Sequence, residues 1–243
     1  MQRMYSGWIV ILLLAVAAAG GMPGSDVLTF EEFSRSIPNK LPAVQVKTVK
    51  AVPVLYGKID NVYTESCAPI NFRLMSSGRH PRYATTAWIV RDMRNLYIAA
   101  RCRSEDPAKV KAGRTVRDSS IWKDEAIELF IDPLGTRWEL YYHLMVNARG
   151  TTQDSKNQFD IAWDPEVTVK CGKEDDAWVM EMKIPFRELD VTQKNFHPIW
   201  SFNIYRSTRD VNTGAFIEES AWSPVGDDCS HIPEMFGFLF FDR

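Results

Sequence analysis

Hydrophobic and polar positions alternate with a period of two along most of this chain, in runs of five to ten residues separated by turn chemistry. Ala84 to Val90 and Leu96 to Arg101 form one such pair of runs, joined across Arg91-Asp-Met-Arg-Asn95. Ala126 to Asp132 and Trp138 to Asn147 form another, across Pro133-Leu-Gly-Thr-Arg137, where Gly135 suits a positive φ. Further strands are predicted at Val44 to Val54, Glu166 to Lys170, Trp178 to Ile184, Trp200 to Arg206, Ile217 to Trp222 and Phe236 to Phe241. Gly57 to Asn61 reads as a turn, and Pro185 to Leu189 as a lone helical turn. Many short strands with almost no helix predict an all-β protein, an antiparallel β-sandwich or jelly roll.

The same alternation sorts side chains onto faces. In the strand Ala126 to Asp132, Ile127, Leu129 and Ile131 point one way, while Ala126, Glu128, Phe130 and Asp132 point the other. In the following strand Trp138, Leu140, Tyr142, Leu144 and Val146 are expected in the core. Tyr141, His143, Met145 and Asn147 then share a face with Glu128. Just upstream, Trp122 stands on a loop that opens into this strand. A flat indole beside a fixed carboxylate suits a sugar ring, whose C–H face packs on the aromatic while its hydroxyls find hydrogen-bond partners. The alternative is a rim indole closing the sandwich core above a surface Glu. Arg206 and Arg209, after the strand Trp200 to Tyr205, are candidates to reach the same face, and Asp124 and Glu125 read as solvated or cation-binding.

The termini change the picture next. Arg3 precedes an apolar run from Trp8 to Ala19 that ends in Ala17-Ala18-Ala19, so residues 1–19 read as a secretory signal peptide. No membrane span is expected in the mature chain, which is secreted, periplasmic or held at a cell surface. Residues 20–43 read as a linker leading into one domain, 44–243. Within that linker Val27 to Phe33 is expected to make a short helical turn before Pro38.

Composition adds exclusions. With 45% hydrophobic and 25% charged residues and a net charge of -2, the chain gives no reason to expect nucleic acid as a partner. Four cysteines, Cys67, Cys102, Cys171 and Cys229, have no metal-site spacing. In an oxidising destination they suggest one disulfide of unassigned pairing. No nucleophile or metalloprotease motif occurs. Glu128 and Asp132 lie roughly 13 Å apart along an extended strand, too far for a glycosidase pair.

Several ordered segments together resemble carbohydrate-binding module family 9, in the wider DOMON-like β-sandwich group. They are Gly57-Lys-Ile-Asp60, Asn95-Leu-Tyr-Ile98, Ile121-Trp-Lys-Asp-Glu-Ala-Ile-Glu-Leu-Phe-Ile-Asp-Pro133, Val146-Asn147 with Gly150, Trp178 to Pro185, Trp200-Ser-Phe-Asn203 with Arg206, Ala221-Trp222, and Pro233 to Leu239. The resemblance implies a jelly-roll sandwich without catalytic machinery, often with structural calcium. It also implies an oligo- or polysaccharide partner and a place in polysaccharide catabolism, beside a glycoside hydrolase. It places a sugar-stacking tryptophan at Trp122 and an acidic sugar ligand at Glu128. The family's second tryptophan falls on Ser230, beside His231, and two arginines fall on Met145 and Phe216. The ligand-binding candidates are therefore Trp122, Glu128, Asn147, Arg206 and His231. Two alternatives remain: an exported haem or redox protein, with Met145 and His143 or His231 as ligands, and an interaction domain whose sugar site has decayed.

Overall fold

The computed structural model describes residues 28–138, 140–157 and 160–242. The expected signal peptide and the first part of the linker lie outside the described residues. The chain divides into two units at Ile37/Pro38. In the first, α1 (Phe30–Ser36) starts at a capping box: Glu32 N donates to the Thr29 hydroxyl while the Glu32 carboxylate receives Thr29 N. It begins later than the expected turn, because Thr29 with Glu32 supplies the stronger start signal.

Among the described residues, the second unit is built, besides five short 3₁₀ turns, from thirteen strands and one short α-helix. They run β1 (Ala43–Thr48), α2 (Asn61–Ser66), β2 (Ile70–Asn71), β3 (Arg73–Leu74), β4 (Thr85–Arg91) and β5 (Asn95–Arg103). Then come β6 (Ala126–Asp132), β7 (Tyr142–Asn147), β8 (Thr152–Lys156), β9 (Thr168–Lys173), β10 (Ala177–Pro185), β11 (Ile199–Arg209), β12 (Phe216–Ala221) and β13 (Gly237–Phe241). The hydrogen-bonded order is β8-β7-β6-β11-β13-β1-β4-β5-β10-β9, with β12 on β11 and β2 on β4. One mixed sheet thus curls into two layers. The expectation of a wholly antiparallel sandwich needs one correction: β1 runs parallel to β13 through Ala43–Val46 and parallel to β4 through Lys47–Thr48. No tight hairpin ties β1 to either neighbour, so turn geometry does not set its direction. Among the described residues no helix is long and apolar enough to cross a membrane.

The core lies between the layers. Ile127, Leu129, Ile131, Leu144, Val146, Phe202 and Ile204 meet Leu96, Ile98, Ala100, Trp178, Met180 and Met182, as the alternation predicts. Trp138 and Leu140 depart from it and are 66% and 51% exposed. The Asp132 carboxylate accepts from Leu134 N, Thr136 Oγ1 and Arg137 N, which holds a wide turn and delays β7 until Tyr142. The run Val44 to Val54 likewise stops at Thr48. Asp60 caps α2 through Val62 N, and the Glu181 carboxylate receives Tyr56 N and Gly57 N. There the backbones nearly touch: a Cβ on Gly172 would lie 2.0 Å from the Gly57 carbonyl oxygen.

The expected disulfide is not formed. All four cysteines are free; Cys67 and Cys102 are buried and Cys229 is exposed. Burial pushes the Cys102 and Cys171 thiols up to about 12, and the thiolate is the reactive form. A maleimide at pH 8 is therefore expected to label Cys229 quickly and the other three only after unfolding. Peptide mass spectrometry reads this directly, and fast labelling of Cys102 would contradict it.

Candidate functional site

The outer face of the β6-centred layer gathers the polar groups. Glu128 lies between Met145 of β7 and Tyr205 of β11, and Phe130 between His143 and Asn203. Ser207 lies between Ala126 and Glu219 of β12. At one end of this face a second apolar cluster of Phe130, Tyr141, Tyr205, Val225 and Phe236 seats the segment that carries Ser230 and His231. Tyr205 Oη donates to the Ser230 carbonyl at 3.1 Å, and Tyr141 Oη meets His231 Nδ1 at 2.6 Å. His143 stacks on Phe130 with ring centroids 4.5 Å apart, and its Nε2 lies 2.5 Å from Glu128 Oε1. Burial lowers the His231 pKa, which favours its neutral ring.

At the other end, Trp122 sits in the 3₁₀ turn Ile121–Lys123. Ile121 is buried against Ala126 and Met145, the neighbours of Glu128, so the next residue stands at the edge of the same face. Trp122 is 49% exposed. Its carbonyl accepts from Arg209 Nη2 at 2.6 Å, and the same guanidinium lies over the Phe216 ring, 5.2 Å from its centroid. One arginine thus bridges two exposed aromatics. Glu219 is held above its usual range by burial, and then by the negative charge of Glu128.

Two of the five sequence candidates are corrected. Arg206 alternates with Tyr205 and therefore points inward, where it is fully buried. Its Nε donates to Glu125 Oε1 at 2.7 Å, its Nη2 to the Arg103 carbonyl at 2.7 Å, and its Nη1 to Thr85 Oγ1 at 3.1 Å. It ties the two layers together. Asn147 is also buried: its Nδ2 donates to Asp124 Oδ2 and to the Arg114 carbonyl, and its Oδ1 receives Arg149 N and Thr151 N. Asn147 organises the β7–β8 turn. Asp124 and Glu125, expected to be solvated or to bind a cation, are buried and committed to Arg114 and Arg206.

That commitment leaves them no oxygen free for calcium. Among the described residues the one group of three or more ligands that could hold a metal is Glu128, His143 and His231, and two imidazoles do not suit calcium. Neither Asp124 with Glu125 nor this cluster therefore supplies a site for the structural calcium that the resemblance implies. The haem alternative needs Met145 as a ligand, but that side chain is buried with Ile121 and Ala126.

Glu128 and His231 meet through His143 on one face, and Trp122 follows Ile121 at its edge. Sequence reasoning missed Glu219, whose signal was the alternation of β12. It also treated Phe216 only as a lost arginine.

The model of the carbohydrate family 9 binding domain-like family matches residues 55–240. The chain belongs to this family. Family 9 domains are non-catalytic carbohydrate-binding modules. No curated protein sequence matches the chain. Among solved structures it is similar to a family 9 module from Caldicellulosiruptor kristjanssonii in complex with cellotriose, at 17% identity and a TM-score of 0.62, covering 83% of this chain and 94% of that one. A second structure from that organism, in complex with glucose, gives 14% identity and a TM-score of 0.59 over 82% and 95% of the two chains. A Bacteroides uniformis protein, provisionally described as carbohydrate-binding, gives 16% identity and a TM-score of 0.63 over 82% and 99%. At these identities the likeness concerns the family 9 fold.

Proposed function

We propose that this family 9 domain is an exported, non-catalytic sugar-binding module whose ligand lies on the outer face of β6, between Trp122 and His231. Trp122 stacks on the pyranose ring. Glu128 accepts from ring hydroxyls through Oε2, since Oε1 is engaged by His143. Glu219, two strands away on the same face, offers a second carboxyl group to a neighbouring hydroxyl. Phe216, held beside Trp122 by Arg209, takes the place of a second aromatic flank. His231 closes the far end. The ligand class is an oligo- or polysaccharide of the cello-type, the chemistry bound in the neighbouring complexes, and the partner is a glycoside hydrolase acting on the same polymer.

The observation that carries this reading is the half-exposed indole at the edge of a face whose central carboxylate is only 18% exposed. An open aromatic surface and a sheltered acceptor are both left for a ligand to satisfy. Calorimetry with cello-oligosaccharides tests it. Trp122→Ala is expected to weaken binding by roughly 0.5–1.5 kcal/mol, a two- to tenfold loss, as for an aromatic contact beyond its buried area. Equal affinity of the variant and the parent protein would remove Trp122 from the site.

A further inference from the structure

We propose that Glu128, His143 and His231 form a binding site for a single divalent transition-metal ion of the zinc class. The three residues come from β6, β7 and the segment before Pro233, so only the folded chain assembles them. One ligand atom from each lies within 4.8 Å of the others. Metal–ligand bonds of about 2.0–2.2 Å put tetrahedral ligand atoms roughly 3.3–3.5 Å apart. The Glu128–His143 contact of 2.5 Å opens slightly and His231 moves inward to reach that geometry.

Two features show that the rings are held rather than merely near. Phe130 stacks on His143 at an interplanar angle of 11°, and Tyr141 binds Nδ1 of His231. With Nδ1–H donating to Tyr141 Oη, Nε2 is the atom His231 offers to an ion, and such a hydrogen bond from the far ring nitrogen is the usual support of a metal-binding imidazole. The His143 and His231 rings lie at 81° with centroids 5.1 Å apart, a crossed arrangement that lets both aim at a common point. Two imidazoles and one carboxylate select zinc, copper or nickel over calcium and magnesium. With three protein ligands, a fourth position stays open to water or to a hydroxyl.

This inference goes beyond the sugar reading and shares Glu128 with it, yet neither requires the other. The test is calorimetric titration of zinc into untagged, chelator-stripped protein without sugar. One equivalent is expected to bind, with calcium at millimolar concentration failing to displace it. His231→Ala and His143→Ala are each expected to weaken zinc by more than about 100-fold, and Tyr141→Phe by about tenfold, the scale of a lost supporting hydrogen bond. A His80→Ala/His197→Ala double variant, at the two remaining histidines, is expected to bind as the parent does. Near-ultraviolet circular dichroism checks the fold, and His231→Ala decides the matter if His143→Ala unfolds. No zinc binding by the parent, displacement by calcium, or unchanged affinity in folded His231→Ala would each overturn the site. Sugar titrations of the stripped protein report separately on Trp122, so loss of one reading leaves the other standing.

Discussion

Replacing Arg206 with alanine is expected to cost about 3–5 kcal/mol of folding stability, the scale for breaking a buried ion pair from one side. The side chains of Arg206 and Glu125 are 1% and 2% exposed, with Nη2 and Oε1 2.6 Å apart. Glu125 Oε1 also receives Trp178 Nε1 at 3.1 Å, and Oε2 receives Arg209 N at 2.7 Å. Without the guanidinium, a carboxylate stays between the layers with two neutral donors, and the Arg103 carbonyl loses its partner. Against a typical stability of about 5–15 kcal/mol, that loss approaches unfolding. Urea denaturation measures it. A loss below about 1 kcal/mol would mean that the pair is solvated. The double variant Arg206→Met/Glu125→Leu is expected to recover most of the stability, because removing both charges also removes the unpaired one. Sugar affinity of whatever remains folded is expected to be unchanged, since Arg206 points away from the outer face.

The error over Arg206 marks where the sequence could be read and where it could not. Period-two alternation placed Ile127, Leu129 and Ile131 inside and Glu128 and Phe130 outside, because both faces of a strand follow from counting. Arg206 was assigned by nearness to the site; the same counting from Tyr205 turns it inward. Asn147 has the correct parity but sits at a strand end, where the segment from Arg114 to Asp124 folds over it. Asp124 and Glu125 looked solvated because they occupy a turn. Their partners, Arg114, Trp178 and Arg206, include two more than fifty residues away, and no local pattern encodes such pairing. The periodicity at Trp138 and Leu140 is real in sequence, but Asp132 captures three donors of the intervening turn and keeps both residues out of the sheet. The parallel course of β1 leaves no local trace either. His231 was reachable only by resemblance, since its contacts with Tyr141 and His143 span some ninety residues of chain.

Glu128→Gln is expected to weaken sugar binding by about 1.5–3 kcal/mol, the range for a hydrogen bond to a charged group, or roughly ten- to a hundredfold. This exceeds the effect of Trp122→Ala because the carboxylate is sheltered on the sheet while the indole stands at its rim. Glutamine keeps the length of the side chain and an acceptor oxygen, so the contact with His143 survives in shape and the fold is expected to hold. What disappears is the charge, and two consequences follow. The hydroxyl bound by Oε2 loses its charge-assisted partner. Glu219 loses the negative neighbour that helps to raise its pKa, so its pKa moves back toward the ordinary carboxylate range. The two carboxyl groups feel each other's charge, so the effects of changing both are expected to be coupled rather than additive. Glu219→Gln alone and Glu219→Gln added to Glu128→Gln measure that coupling. Calorimetry with cello-oligosaccharides on chelator-stripped proteins reads all three variants. Parent-like affinity in Glu128→Gln would place the sugar elsewhere on the molecule and leave this carboxylate to its histidines.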